Sequence, residues 1–72
     1  MADVTRRAPK GKFRIIGWDD FPVPPEDWLE GDYTNLESAK TQCLRESQPM
    51  TSFEIWDDQG KRVYYQPEAK RA

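Results

Sequence analysis

Histidine is absent from this chain and cysteine occurs once, at Cys43. Those two absences exclude the usual zinc ligand sets, haem ligation by histidine, and Cys-His or Ser-His-Asp catalysis. A single cysteine also leaves no intramolecular disulfide to staple the fold. The sequence has no apolar run long enough to span a bilayer, no leader and no lipidation signal, so the expected setting is a reducing cytoplasm with no membrane partner. Its four glycines are scattered and form no phosphate-binding loop. No segment repeats.

What remains is short and rich in aromatics. At 72 residues there is room for one core, and a catalytic cleft with its own walls is hard to build. Hydrophobic residues make up 36% and charged residues 33%, and three Trp, three Tyr and three Phe supply bulky core or contact groups, a composition that fits a small folded domain rather than a disordered chain. The net charge of −2 is unevenly spread. Arg6, Arg7, Lys10, Lys12 and Arg14 make the beginning basic and Lys61, Arg62, Lys70 and Arg71 the end, while eleven of the 13 acidic residues fall between Asp19 and Asp58.

The clearest local signal is the run from Thr51 to Tyr65. Two stretches of aromatic and β-branched residues flank Asp57-Asp58-Gln59-Gly60, which predicts a β-hairpin with Gly60 in the left-handed position of the turn. With Asp58, Gln59 and Gly60 as the loop, Trp56 faces Arg62, Ile55 faces Val63, Glu54 faces Tyr64 and Phe53 faces Tyr65. One face is then Phe53, Ile55, Val63 and Tyr65, and the other Glu54, Trp56, Arg62 and Tyr64.

Residues 1–11 lack apolar periodicity and predict a flexible basic arm. The domain proper is expected over residues 12–66, with 67–72 as a frayed tail. From Phe13 to Trp18 a period of two predicts a central strand with two partly apolar faces. Pro22, Pro24 and Pro25 forbid a central strand, so an extended loop is expected there, followed by one helical turn at Pro25-Glu26-Asp27; a short strand through Glu30 to Tyr33 is the alternative. Thr34 as N-cap with Glu37 three residues on predicts a capping box, and Leu36, Ala39, Lys40, Cys43 and Ser47 form the stripe of a helix that ends before Pro49.

The expected fold class is therefore α+β: a single helix packed on one face of a small three-stranded sheet, in the order strand, loop, helix, strand, strand, with a possible extra short strand before the helix. The crossover suggests that the first strand and the strand after the helix run parallel if they are adjacent. Phe13-Arg14-Ile15-Ile16 followed by Asp19, Gly31-Asp32-Tyr33 leading into Leu36-Glu37-Ser38-Ala39, and Ile55-Trp56-Asp57-Asp58-Gln59-Gly60 together resemble a type of short uncharacterised bacterial protein in which a strand, a helix and an Asp-Gly hairpin make the whole domain. The resemblance implies this architecture and a bacterial or phage setting, and carries no catalytic or binding residue across.

One helix covers one face, and the other would show Ile16, Trp18, Trp56 and Tyr64 interleaved with Arg14 and Arg62. Such a patch exceeds what a monomer usually leaves in water. Three occupants compete. The proline loop with Trp28 could fold over it as a lid. Another protein or a second copy could dock there, using Trp18, Trp56, Arg62 and Tyr64 as contacts with Arg14 at the rim. Bases of single-stranded nucleic acid could stack on the rings, with the basic arm on phosphates, although the aromatic signatures of sheet-surface RNA binders are missing and the acidic middle opposes a phosphate backbone. Paired carboxylates such as Asp57 and Asp58 lack a calcium-loop spacing and are turn formers. The reading is a non-enzymatic interaction module with no cofactor and no metal site.

Overall fold

Alternation between Phe13, Ile15, Gly17 and Arg14, Ile16, Trp18 is what a strand needs when both of its faces are covered. In the computed structural model, which describes residues 5–19 and 26–69, this run forms β1 (Phe13–Asp19), with Ile15, Ile16 and Gly17 all buried. It is followed by β2 (Glu26–Tyr33), α1 (Leu36–Arg45), β3 (Thr51–Trp56) and β4 (Arg62–Gln66). The fold is α+β, one helix on an antiparallel sheet of four strands in the order β2-β1-β3-β4.

The extra strand changes the topology. Residues 26–29, expected as a helical turn and its continuation, are extended and pair with β1 from Asp19–Glu26 to Phe13–Tyr33. Because β2 reverses the chain, the crossover through α1 starts from β2 rather than from β1. β3 thus enters on the far side of β1 and runs antiparallel to it, from Arg14–Trp56 to Asp19–Thr51. The expected parallel pairing of those two strands is corrected: the strands that share a direction are β2 and β3, with β1 between them. The register of β1 with β2 shifts between Ile15 and Ile16, leaving Glu30 as an extra residue in a bulge. The Phe21–Pro25 part of the expected lid lies outside the described residues.

The core lies between α1 and one face of the sheet. Ile15, Phe53 and Ile55 meet Ala39 and Cys43, with Phe13, Tyr33, Leu36, Val63 and Tyr64 packed around them. Small side chains at 39 and 43 let the helix approach closely, as its stripe predicts. Its N-cap, however, is Asn35 rather than Thr34: Asn35 Oδ1 accepts from the Ser38 amide at 3.1 Å. The cap therefore begins one residue later than the capping-box pattern. Glu37 instead stands 3.7 Å from Lys40 Nζ on the helix surface. Ser47, expected on the stripe, falls beyond the end of α1.

In the hairpin, Trp56 faces Arg62 as the turn predicts, but the register then shifts. Ile55 faces Tyr64, Glu54 faces Tyr65 and Phe53 faces Gln66, with Val63 as the extra residue. The bulge exchanges the two tyrosines: Tyr64 joins the helix-side core and Tyr65 turns to the opposite face. On the helix side, Tyr64 donates to Gln66 Oε1 at 3.1 Å, and Gln66 Nε2 donates to the Cys43 carbonyl at 2.8 Å, tying β4 to α1. Lys40 Nζ lies 5.4 Å above the Tyr64 ring.

Candidate functional site

The register sorts the face opposite α1 into cross-strand rows. One runs Asp32, Arg14, Trp56, Arg62; the next Leu29, Ile16, Glu54, Tyr65; the third Asp27, Trp18, Ser52. Of the residues proposed from sequence, Trp18, Trp56, Arg62 and Arg14 share this face, and Tyr64 does not. Tyr65 stands in its place, 43% exposed, with the Arg62 guanidinium carbon 5.2 Å from its ring centre. Trp28 is likewise absent from this face. Its indole lies against Gly17 on the helix side and donates to Glu30 Oε1 at 2.8 Å, so it forms no part of a lid over the opposite surface.

Arg14 is committed internally. Its guanidinium forks onto Asp32, Nε to Oδ1 at 2.7 Å and Nη2 to Oδ2 at 3.0 Å, while Nη1 donates to the Thr5 carbonyl at 2.9 Å. The Asp32 hydrogen bond raises its pKa still further, partly offset by burial, so the group is a fixed cation. Its job is to bind β1 to β2 and to hold the arm, and three of its donors are already spent.

At the middle of the face sits Glu54, a carboxylate with 9% exposure. Charge at such a depth is tolerated when it is paired and hydrogen-bonded, and Glu54 has several partners. Trp56 Nε1 donates to its Oε1 at 3.0 Å and Arg62 Nη1 to its Oε2 at 3.1 Å, and Arg6 Nε stands 3.6 Å from Oε1. Alternation already places Glu54 on this face. The partner from the arm, Arg6, has no signal in the sequence, because nothing in a basic run without apolar periodicity says which acid it will meet.

Residues 5–11 lie along the turn end of this face. The Ala8 amide donates to the Asp57 carbonyl at 3.0 Å, Arg7 Nε to the Asp58 carbonyl at 2.9 Å, and the Gly11 amide to Asp58 Oδ2 at 2.8 Å. That last bond holds the Asp58 carboxyl below its ordinary pKa. The chain reverses at residues 9–12, where the Lys12 amide donates to the Pro9 carbonyl at 2.9 Å and Gly11 takes φ +76°, a conformation that glycine adopts without strain. A shallow hollow of about 300 Å³ separates arm and turn, lined by Arg7, Ala8, Lys10, Asp58 and Gln59.

Apolar surface frames the charged centre. Ile16 is fully buried beneath it, Leu29 is 48% exposed at one edge of its row, and Tyr65 closes the other. The Trp18 indole N–H is buried with no hydrogen-bond partner. On the helix side, burial pushes the Cys43 thiol up to about 11, with the Glu30 charge adding to the effect, which leaves it a protonated core group at neutral pH.

Among the described residues no group of three or more His, Cys, Asp or Glu could hold a metal ion, and no described helix is long and apolar enough to cross a membrane. No protein family, curated protein or solved structure matches the chain.

Proposed function

We propose that this chain is a small non-enzymatic protein–protein interaction module that binds through the sheet face opposite α1. Trp18, Trp56, Arg62 and Tyr65 form the contact surface, and Arg14 supports it from within. The observation that carries this reading is the row Leu29, Ile16, Glu54, Tyr65: two large apolar side chains stand exposed at its ends, with a buried, fully engaged carboxylate between them. Exposed aromatic and aliphatic groups with Arg62 stacked beside them are the residue types that gain most when a partner removes water. The same face argues against single-stranded nucleic acid, since Glu54, Asp27 and Asp32, one from each of its three rows, would face a phosphate backbone. A cytoplasmic and bacterial setting agrees with a lone, buried thiol and with the short strand-helix-hairpin pattern.

Photo-crosslinking tests it. Benzoylphenylalanine replaces Tyr65 in one version of the chain and Glu37, on the outer surface of α1, in another. After irradiation in native cell extract, a discrete adduct is expected from position 65 only, and it should disappear with Arg62→Glu. Equal adducts from both positions, or none from position 65, would overturn the proposal.

A further inference from the structure

The sheet ends in two edges of opposite character. β2 forms one, and four of its eight residues are acidic: Glu26, Asp27, Glu30 and Asp32. Those charges and the bulge at Glu30 keep a second β2 from pairing there, since acid would lie beside acid. β4 forms the other edge. Apart from Arg62 at its start, its sequence RVYYQ carries no charge and no proline. Beyond the Val63 bulge, Tyr64, Tyr65 and Gln66 pair regularly with β3, so the outer backbone groups of this run follow the spacing of a ladder. Among the described residues no strand takes them up.

The charges that flank β4 say what fits this edge. Lys61 stands just before the strand and Glu68 just after it; both are exposed, and among the described residues neither side chain is in an ion pair. A strand with a cation at its start and an anion past its end is complementary to itself when reversed. In an antiparallel copy the Lys61 end of each chain meets the Glu68 end of the other, and the same contact occurs twice about a twofold axis. A parallel copy would set Lys61 beside Lys61. Tyr65, 43% exposed with Arg62 stacked on its ring, lies in the run nearest the axis and gains an aromatic neighbour from the other copy.

We infer that the chain forms a twofold dimer by pairing β4 with β4 of a second copy, joining two four-stranded sheets into one of eight strands with both helices on the same side. Main-chain bonds between the two strands supply the affinity, and the Lys61–Glu68 contacts set the direction. This goes beyond the open-face reading: it needs no ligand on that face, and it makes the two open faces continuous. A contact of a few residues per side belongs to the weak, reversible class, so the dimer dissociates on dilution through the micromolar range.

Sedimentation equilibrium of the purified full chain, from low micromolar to millimolar concentration, reads the association. The wild type should pass from monomer to dimer and stop there. Lys61→Glu and Glu68→Lys, each alone, turn two attractive contacts into repulsive ones and should weaken the dimer at least about fivefold. The two together exchange the charges and should restore the wild-type association. Both positions are exposed, and circular dichroism checks the fold of each variant. In samples that mix isotope-labelled with unlabelled chain, intermolecular NOEs should fall on residues 62–66. A monomer at every concentration overturns the proposal. So does a dimer that the single reversals leave unchanged, that the exchange fails to restore, or whose intermolecular NOEs fall on Trp18 and Trp56. Open-ended growth overturns it too, because β4 would then be pairing with the acidic β2 edge of the next copy. The crosslink in extract fails separately: an adduct with another protein from a chain that sediments as a monomer rejects the dimer alone, and a dimer without such an adduct rejects the open-face module alone.

Discussion

The indole of Trp28 fills the space that a side chain at position 17 would need. A Cβ added to Gly17 would stand 2.7 Å from Trp28 Cε2 and 2.8 Å from both Cζ2 and Nε1. A ring is not a flexible chain end that swings aside, and this one is also anchored by its bond to Glu30. Gly17→Ala should therefore displace the indole, break that bond and loosen β2, at a cost of about 1–3 kcal/mol, as overpacking does. Urea unfolding followed by tryptophan emission measures it. Combining Gly17→Ala with Trp28→Leu should recover part of the loss; if the single variant is as stable as the wild type, the close contact is not what holds β2 in place.

The exchanged tyrosines give a second expectation. Tyr64 packs against the core and bonds Gln66, which in turn holds the Cys43 carbonyl, whereas Tyr65 is 43% exposed. Tyr64→Ala should cost about 2 kcal/mol or more, and Tyr65→Ala should stay within about 1 kcal/mol. Denaturant midpoints of the two variants decide it. The reverse order would mean that the hairpin runs without the Val63 bulge and that Tyr64 belongs to the open face after all.

These two sites show what a single sequence makes legible. Period-two alternation located β1 and β3, and the Asp-Gly turn fixed the Trp56–Arg62 pair, because both signals are local. The stripe of Ala39 and Cys43 marked the buried side of α1 for the same reason. β2 was legible only in its second half, as the alternative strand through Glu30 to Tyr33; the residues EDWLEGDY alternate poorly, a bulge at Glu30 breaks their period, and prolines immediately before suggested a loop and a helical turn over its first half. A bulge is one inserted residue with no composition of its own, so the exchange of Tyr64 and Tyr65 could not be read from spacing. The charged centre of the open face depends on Arg6 meeting acids from two distant strands, and only the tertiary fold brings those together.

Helix capping separates two neighbours that the sequence pattern confuses. Asn35 Oδ1 accepts from the Ser38 amide, and the Asn35 carbonyl accepts from the Ala39 amide at 3.1 Å. Asn35→Ala should cost about 1 kcal/mol, while Thr34→Ala should change stability by less than about 0.5 kcal/mol. Thermal melts by circular dichroism compare them. A larger loss at Thr34 would restore the capping box and shift the helix start by one residue.

Acid should release the arm from the turn before it unfolds the sheet. The Asp58 carboxylate accepts the Gly11 amide at 2.8 Å, and this bond, with smaller help from Gln59 and the Arg7 charge, lowers its pKa beneath the ordinary 3.8. A carboxyl whose folded pKa is depressed stabilises the folded arrangement above its unfolded value, and that contribution is lost as pH falls through the folded one. The Gly11 amide resonance should therefore hold its position from neutral pH to about 4 and then shift with a midpoint below 3.8. Asp58→Asn should move the Gly11 resonance at neutral pH and abolish the acid step, with the resonances of β1 and β3 unchanged. A midpoint at or above 3.8 would mean that the Gly11 amide does not hold the carboxylate in solution, and that the arm is tied to the turn through Ala8 and Arg7 instead.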